Sequence, residues 1–176
     1  ASWWTEEYYN KEWVLHNYES PQPVEEEAPA EEYLPGTREN LDVNICPYIE
    51  QNPDTKFVVF FPPYSILFWN DVVVGNHLEA TLAQYRYLAE RLNAYDNVEV
   101  YFFPDREDII LDLNNYADYS HYHPRYNRFM AECFADGSTG LVAKEGSKKG
   151  KTIDEYLSHM KTIVQNYDFE ELLSGE

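Results

Sequence analysis

Lys56-Phe57-Val58-Val59-Phe60-Phe61-Pro62-Pro63 decides the fold. Five consecutive apolar residues are one strand long, and two prolines, which cannot donate to a ladder, stop the run. A strand apolar on both sides expects cover on both faces, as in the interior of a parallel sheet. Downstream, Leu78, Leu82, Tyr85, Leu88, Ala89 and Leu92 recur at helical spacing, so His77 to Asn93 reads as a helix, with Asn76 as its cap. Asp96-Asn97 then turns into Val98-Glu99-Val100-Tyr101-Phe102-Phe103, a second strand. Strand, helix and strand joined by short links form a right-handed crossover unit, which places the chain in the α/β class.

Further out the pattern is mostly helical. Trp4, Tyr8, Val14, Leu15 and Tyr18 predict a short N-terminal helix, and Ser20 to Pro35, with four prolines and a glutamate run, predicts an extended surface linker. Residues 1–35 are therefore set apart from 36–176. Leu41, Ile45, Tyr48 and Ile49 predict a helix over 37–51 that Pro47 kinks or splits. Pro124 opens a helix through Phe134, and the glycine- and lysine-rich stretch 136–151 reads as a mobile loop. Thr152-Ile153-Asp154-Glu155 is a capping box ahead of a last helix through Tyr156, Leu157, Met160, Ile163 and Val164. Two strands are too few to hide both faces of Phe57 to Phe61, so the sheet is expected to be incomplete in this chain.

The composition supports a folded globule: 176 residues, 44% hydrophobic, with 16 Tyr, 9 Phe and 4 Trp. A net charge of −19 repels phosphate backbones and anionic lipid, which argues against nucleic acid as a partner. A merely solvated acidic surface is the default reading of the charge itself. Cys46 and Cys133 have no metal-ligand spacing and read as two buried thiols, a single bridge being the alternative. No apolar run is long enough to span a bilayer and no signal-peptide pattern occurs, while the start at Ala1 suits a processed form or a piece of a longer protein.

Chemistry concentrates in Asn115-Tyr116-Ala117-Asp118-Tyr119-Ser120-His121-Tyr122-His123-Pro124. A carboxylate three residues ahead of an imidazole can fix its tautomer and stabilise the imidazolium, which makes His121 a candidate general base and Asp118 its orienting acid. The competing reading is that Asp118 caps a turn and His121 is an ordinary surface residue. His121, His123 and Asp118 could also hold a divalent metal, but no further His or Cys cluster completes a shell, so neither a metal nor a cofactor is assigned. His16, His77 and His159 show no partner pattern and read as structural or exposed. Ser65 follows a strand end but lacks the flanking glycines of a nucleophile turn, so it is expected to pack or cap, or at most to touch substrate. Tyr64, Trp69 and Tyr122 are candidate substrate-binding rings on the loops that would border such a site, although rings of this kind also serve ordinary packing.

The order of these elements resembles the SGNH, or GDSL-type, hydrolase superfamily. Phe60-Phe61-Pro62-Pro63 is similar to the late strand that ends in prolines there, and Asp118-Tyr119-Ser120-His121 is similar to its D-x-x-H block, over about Asn40 to Met130. Phe60-Phe61-Pro62-Pro63-Tyr64-Ser65 resembles in particular a membrane-anchored bacterial branch thought to act on cell-envelope material. The resemblance implies a three-layer, flavodoxin-like parallel sheet, an extracytoplasmic location, and an esterase or O-acyltransferase acting on acylated envelope glycans. No G-D-S and no G-x-N-D occurs, and Asn70-Asp71 lacks the glycine that an oxyanion-hole block would need. The expectation is therefore the C-terminal half of such a protein, with the serine supplied by an upstream half or another chain that also completes the sheet. A non-catalytic module that binds carbohydrate or protein through its aromatic loops is the alternative.

Overall fold

A computed structural model describes residues 5–174 of the chain; Trp4 of the predicted first helix lies outside them. The elements run α1 (Lys11–Asn17), α2 (Leu34–Asn40), a π-helical turn (Leu41–Ile45), α3 (Cys46–Gln51), β1 (Phe57–Phe61), α4 (Ile66–Val74) and α5 (Leu78–Asn93). They continue with β2 (Val98–Phe102), α6 (Glu107–Ile110), α7 (Arg125–Asp136), α8 (Ile153–Asn166) and α9 (Phe169–Ser174). The two strands pair in parallel, Phe57 opposite Val98 through Phe61 opposite Phe102, to form a two-stranded sheet. The protein is a mixed α/β chain.

Alternation along the strands divides the apolar residues between two layers. Phe61, Val98, Val100 and Phe102 join the larger core with Leu41, Ile49, Ala89, Leu92, Leu157 and Met160 from α3, α5, α8 and the π-helical turn. On the opposite face Tyr101 and Phe103 pack with Met130 and Cys133 of α7 and with Leu141. That second layer stops short of β1. Val58 is 38% and Phe60 41% exposed, although Phe60 meets the Phe134 ring at 5.5 Å. The expectation that Phe57 to Phe61 is covered on both faces is therefore corrected: β1 is an edge strand, and only one of its faces is roofed.

The two outer edges of the sheet differ. Phe102 N–H donates to Gly140 O (2.7 Å) and Val142 N–H to Val100 O (2.8 Å), so the stretch read as a mobile loop instead lines β2. Leu141 and Val142 are buried there, because an apolar pair can satisfy the backbone groups of β2 and cover it at once. Gly137 (φ +59°) ends α7 in the left-handed conformation and turns the chain toward that edge. On β1, Phe57 N–H bonds Asn97 O and Phe61 O accepts from Phe103 N–H, so the odd-numbered residues face β2. The amides and carbonyls of Val58 and Phe60 point to the other edge.

Local chemistry sets three features of the helices, one as expected and two not. Pro47 splits 37–51 as expected, and the preceding turn widens, with Cys46 N–H reaching Leu41 O; the wider turn makes room for a ring that would collide with a helical carbonyl. Asn76 does not cap α5. It sits at φ +54° two residues past the end of α4, and His77 occupies the cap position without a side-chain bond to the helix's free N–H groups. The helix α4, unassigned in the sequence, is capped by Ser65 and is apolar around most of its circumference, because it is buried on several sides.

Candidate functional site

Residues 115–123 fold back on themselves beyond β2. Ala117 N–H donates to His121 O (2.9 Å), His123 N–H donates to Asn115 O (2.7 Å), and Tyr116 bridges Tyr122. Asp118, Tyr119 and Ser120 form the tip. Asp118 closes it as an Asx turn, its Oδ1 accepting the N–H groups of Ser120 (2.8 Å) and His121 (2.7 Å). Its other oxygen, Oδ2, lies 2.6 Å from His121 Nδ1. One carboxylate oxygen thus caps the turn, as the competing reading expects, and the other meets the imidazole.

Partial burial raises the Asp118 pKa, but the backbone donors of His121 and Ser120, together with the imidazole, outweigh it and hold the carboxyl below its ordinary value. The acid stays ionised and keeps the imidazole in the tautomer with its proton on Nδ1. The His121 side chain is 66% exposed, so its ring stands at the surface on a fixed base. Ser120 Oγ lies 3.4 Å from Nδ1, the nitrogen that Asp118 already engages. It is not placed as a nucleophile for Nε2.

Two contacts, one buried and one part-buried, tie this hairpin to the turn that follows β1. Tyr116 Oη donates to Pro63 O (2.6 Å), and Ser65 Oγ donates to Tyr119 O (2.5 Å). The proline-ended strand and the Asp118–His121 segment, more than fifty residues apart, therefore meet at the carboxyl ends of the parallel strands, where open α/β sheets bind their ligands.

The residues expected to bind substrate fall into two groups. Tyr64 and Tyr122 are half-buried beside this junction, Tyr64 against the Phe68 ring at 4.7 Å. Ser65 and Trp69 are fully buried and present nothing to a ligand on the surface. Trp69 packs edge-on to Phe68 and Tyr85 in the core, which weakens a carbohydrate-binding reading that relies on its ring. Ser65 accepts from Leu67 N–H (3.1 Å) while holding Tyr119, so it both packs and caps.

His123 turns from the pair, with Nε2 on Glu6 (3.0 Å) and Nδ1 accepting from Arg125 N–H (3.1 Å). Among the described residues no three His, Cys, Asp or Glu side chains gather as a metal site requires. Cys46 and Cys133 are free thiols buried in different layers.

His159, read as structural or exposed, has partners the sequence does not announce. Its Nδ1 meets Asp105 Oδ2 and its Nε2 meets Glu107 Oε1, both at 3.0 Å. The Tyr116–Pro63 and Ser65–Tyr119 contacts were equally hidden, since nothing in a serine or tyrosine marks a partner fifty residues away. Compared with protein-family models, with curated proteins and with solved structures, the chain matches none.

Proposed function

We propose that this chain supplies the acid–base half of an SGNH-like serine esterase or O-acyltransferase that acts on acylated cell-envelope glycans outside the cytoplasm. The observation that carries the reading is the 2.6 Å contact between Asp118 Oδ2 and His121 Nδ1, beside the turn after β1. A serine from outside these 176 residues attacks the ester carbonyl, and His121 Nε2 takes its proton and passes it to the leaving alcohol. Asp118 holds the imidazole and stabilises its cation. Water, or an acceptor hydroxyl, then releases the acyl group with His121 again as base.

The sheet supports the same reading. The helical run from α2 to α3 packs beside α5 on the larger core. A right-handed crossover through it would lay a preceding strand on the bare edge of β1. A full three-layer, flavodoxin-like sheet, completed by the serine-bearing segment or another chain, would cover Val58 and Phe60 and pair their amides.

The test is p-nitrophenyl acetate hydrolysis by the chain alone and by the chain joined to whatever polypeptide is encoded immediately before Ala1. The chain alone should hydrolyse at the buffer rate, and the joined form faster, with His121→Ala lowering kcat by about 10³-fold or more. A joined form that is inactive, or one indifferent to His121→Ala, rejects the proposal.

A further inference from the structure

Ser65 closes an unbroken line of hydrogen bonds. The Leu67 N–H, at the start of α4, donates to Ser65 Oγ (3.1 Å), and Ser65 Oγ donates to Tyr119 O (2.5 Å). That carbonyl and the Ser120 N–H belong to one peptide group, and the Ser120 N–H donates to Asp118 Oδ1 (2.8 Å). Asp118 Oδ2 in turn meets His121 Nδ1 at 2.6 Å. Pulling electron density onto the carbonyl oxygen of a peptide makes its N–H a stronger donor, and such chains strengthen one another where water is excluded. Ser65 is fully buried, so no water competes for its hydroxyl. The line begins at the amino end of a helix, where the peptide dipoles leave partial positive charge.

We infer that Ser65 is a positioning residue for the Asp118–His121 pair. Through the Tyr119–Ser120 peptide it fixes the tip of the hairpin and polarises the donor that keeps Asp118 an anion. This gives the serine of Pro62-Pro63-Tyr64-Ser65 a task that neither nucleophilic attack nor substrate contact explains. The inference rests on the reading of Asp118 and His121 as acid and base, but its test does not use their activity.

The experiment is a ¹³C NMR titration of the Asp118 carboxyl in the whole chain, with Ser65→Ala, Ser65→Cys and Tyr116→Phe compared with the parent. Tyr116→Phe cuts the other tie, to Pro63, and serves as the control for mere loosening. Ser65→Ala should raise the Asp118 midpoint by about half a pH unit, toward the ordinary carboxylate range, while Tyr116→Phe lowers thermal stability and leaves the midpoint in place. If Ser65→Ala does not fold, Ser65→Cys, with a weaker donor of similar size, decides by the same upward shift. An unmoved midpoint in the folded Ser65 variant, or an equal shift in Tyr116→Phe, overturns the inference. Failure of the ester assay leaves this titration intact, so the two proposals fail separately.

Discussion

Two histidines of this chain each present Nδ1 to an aspartate, and their surroundings give the pairs different work. His121 and Asp118 are three residues apart on one exposed hairpin, with 66% and 27% of their side chains exposed. His159 lies on α8, and its Asp105 comes from the turn after β2 with only 5% of its side chain exposed. Glu107 takes the second nitrogen of His159, so both ring nitrogens face carboxylates. An imidazole between two acceptors must donate from both nitrogens, which is the cationic form; such a ring cannot accept a proton. The Asp105 and Glu107 contacts raise the His159 pKa against the opposing effect of burial. The exposed pair leaves its ring at the surface on one short turn, while the pair that bridges distant elements acts as a clamp.

The largest effect should come from breaking the clamp. His159→Ala leaves a buried carboxylate without its donor, a loss of about 1–3 kcal/mol once the partial exposure of the ring is allowed for. At about 2–4 °C per kcal/mol for a chain of this size, differential scanning calorimetry should show Tm several degrees lower. A variant as stable as the parent would mean that α8 is held by its apolar face alone.

The clamp should also show itself by pH. A histidine whose folded pKa lies above its ordinary 6.5 stabilises in full below that value. The contribution then falls away as pH rises through the folded value. The facing groups are Asp105 and Glu107, with the intervening Arg106 engaged by Asp108. Urea denaturation at steps from pH 5.5 to 9 should show the gap between parent and His159→Gln shrinking on the alkaline side of 6.5. A gap that widened there would reverse the assignment of charge.

The same contrast explains what the sequence could disclose. The strands, α5 and the capping box of α8 are written in local period and end signals, so they were legible. The Asp118–His121 pair was legible because its partners share one Asx turn. α4 was not, since burial on several sides erases the polar face that periodicity needs. Leu141 and Val142 were hidden in a glycine-rich stretch because their docking answers the unpaired backbone of β2, which no residue pattern in 136–151 encodes. The same holds for Ser65 and His159, whose partners are set by topology.

The smallest effect is expected at the hairpin, and it sharpens the comparison from the acid side. Asp118→Asn keeps an oxygen for the Asx turn but removes the charge that His121 faces, on an element whose ring is largely in water. The stability lost at neutral pH should be about 1 kcal/mol or less, a change in Tm of about 2–4 °C at most. Because the folded carboxyl titrates below its ordinary 3.8, the parent's advantage is complete above that value and disappears as pH falls through the folded one. Denaturation curves of parent and variant should therefore be apart at about pH 5 and above and converge as pH falls below about 4. The His159 pair should lose its stabilisation at the opposite end of the scale. Parent and Asp118→Asn curves that stayed equally far apart below about pH 3 would mean that the carboxylate's charge does not support the hairpin, and the contrast with the His159 clamp would fail.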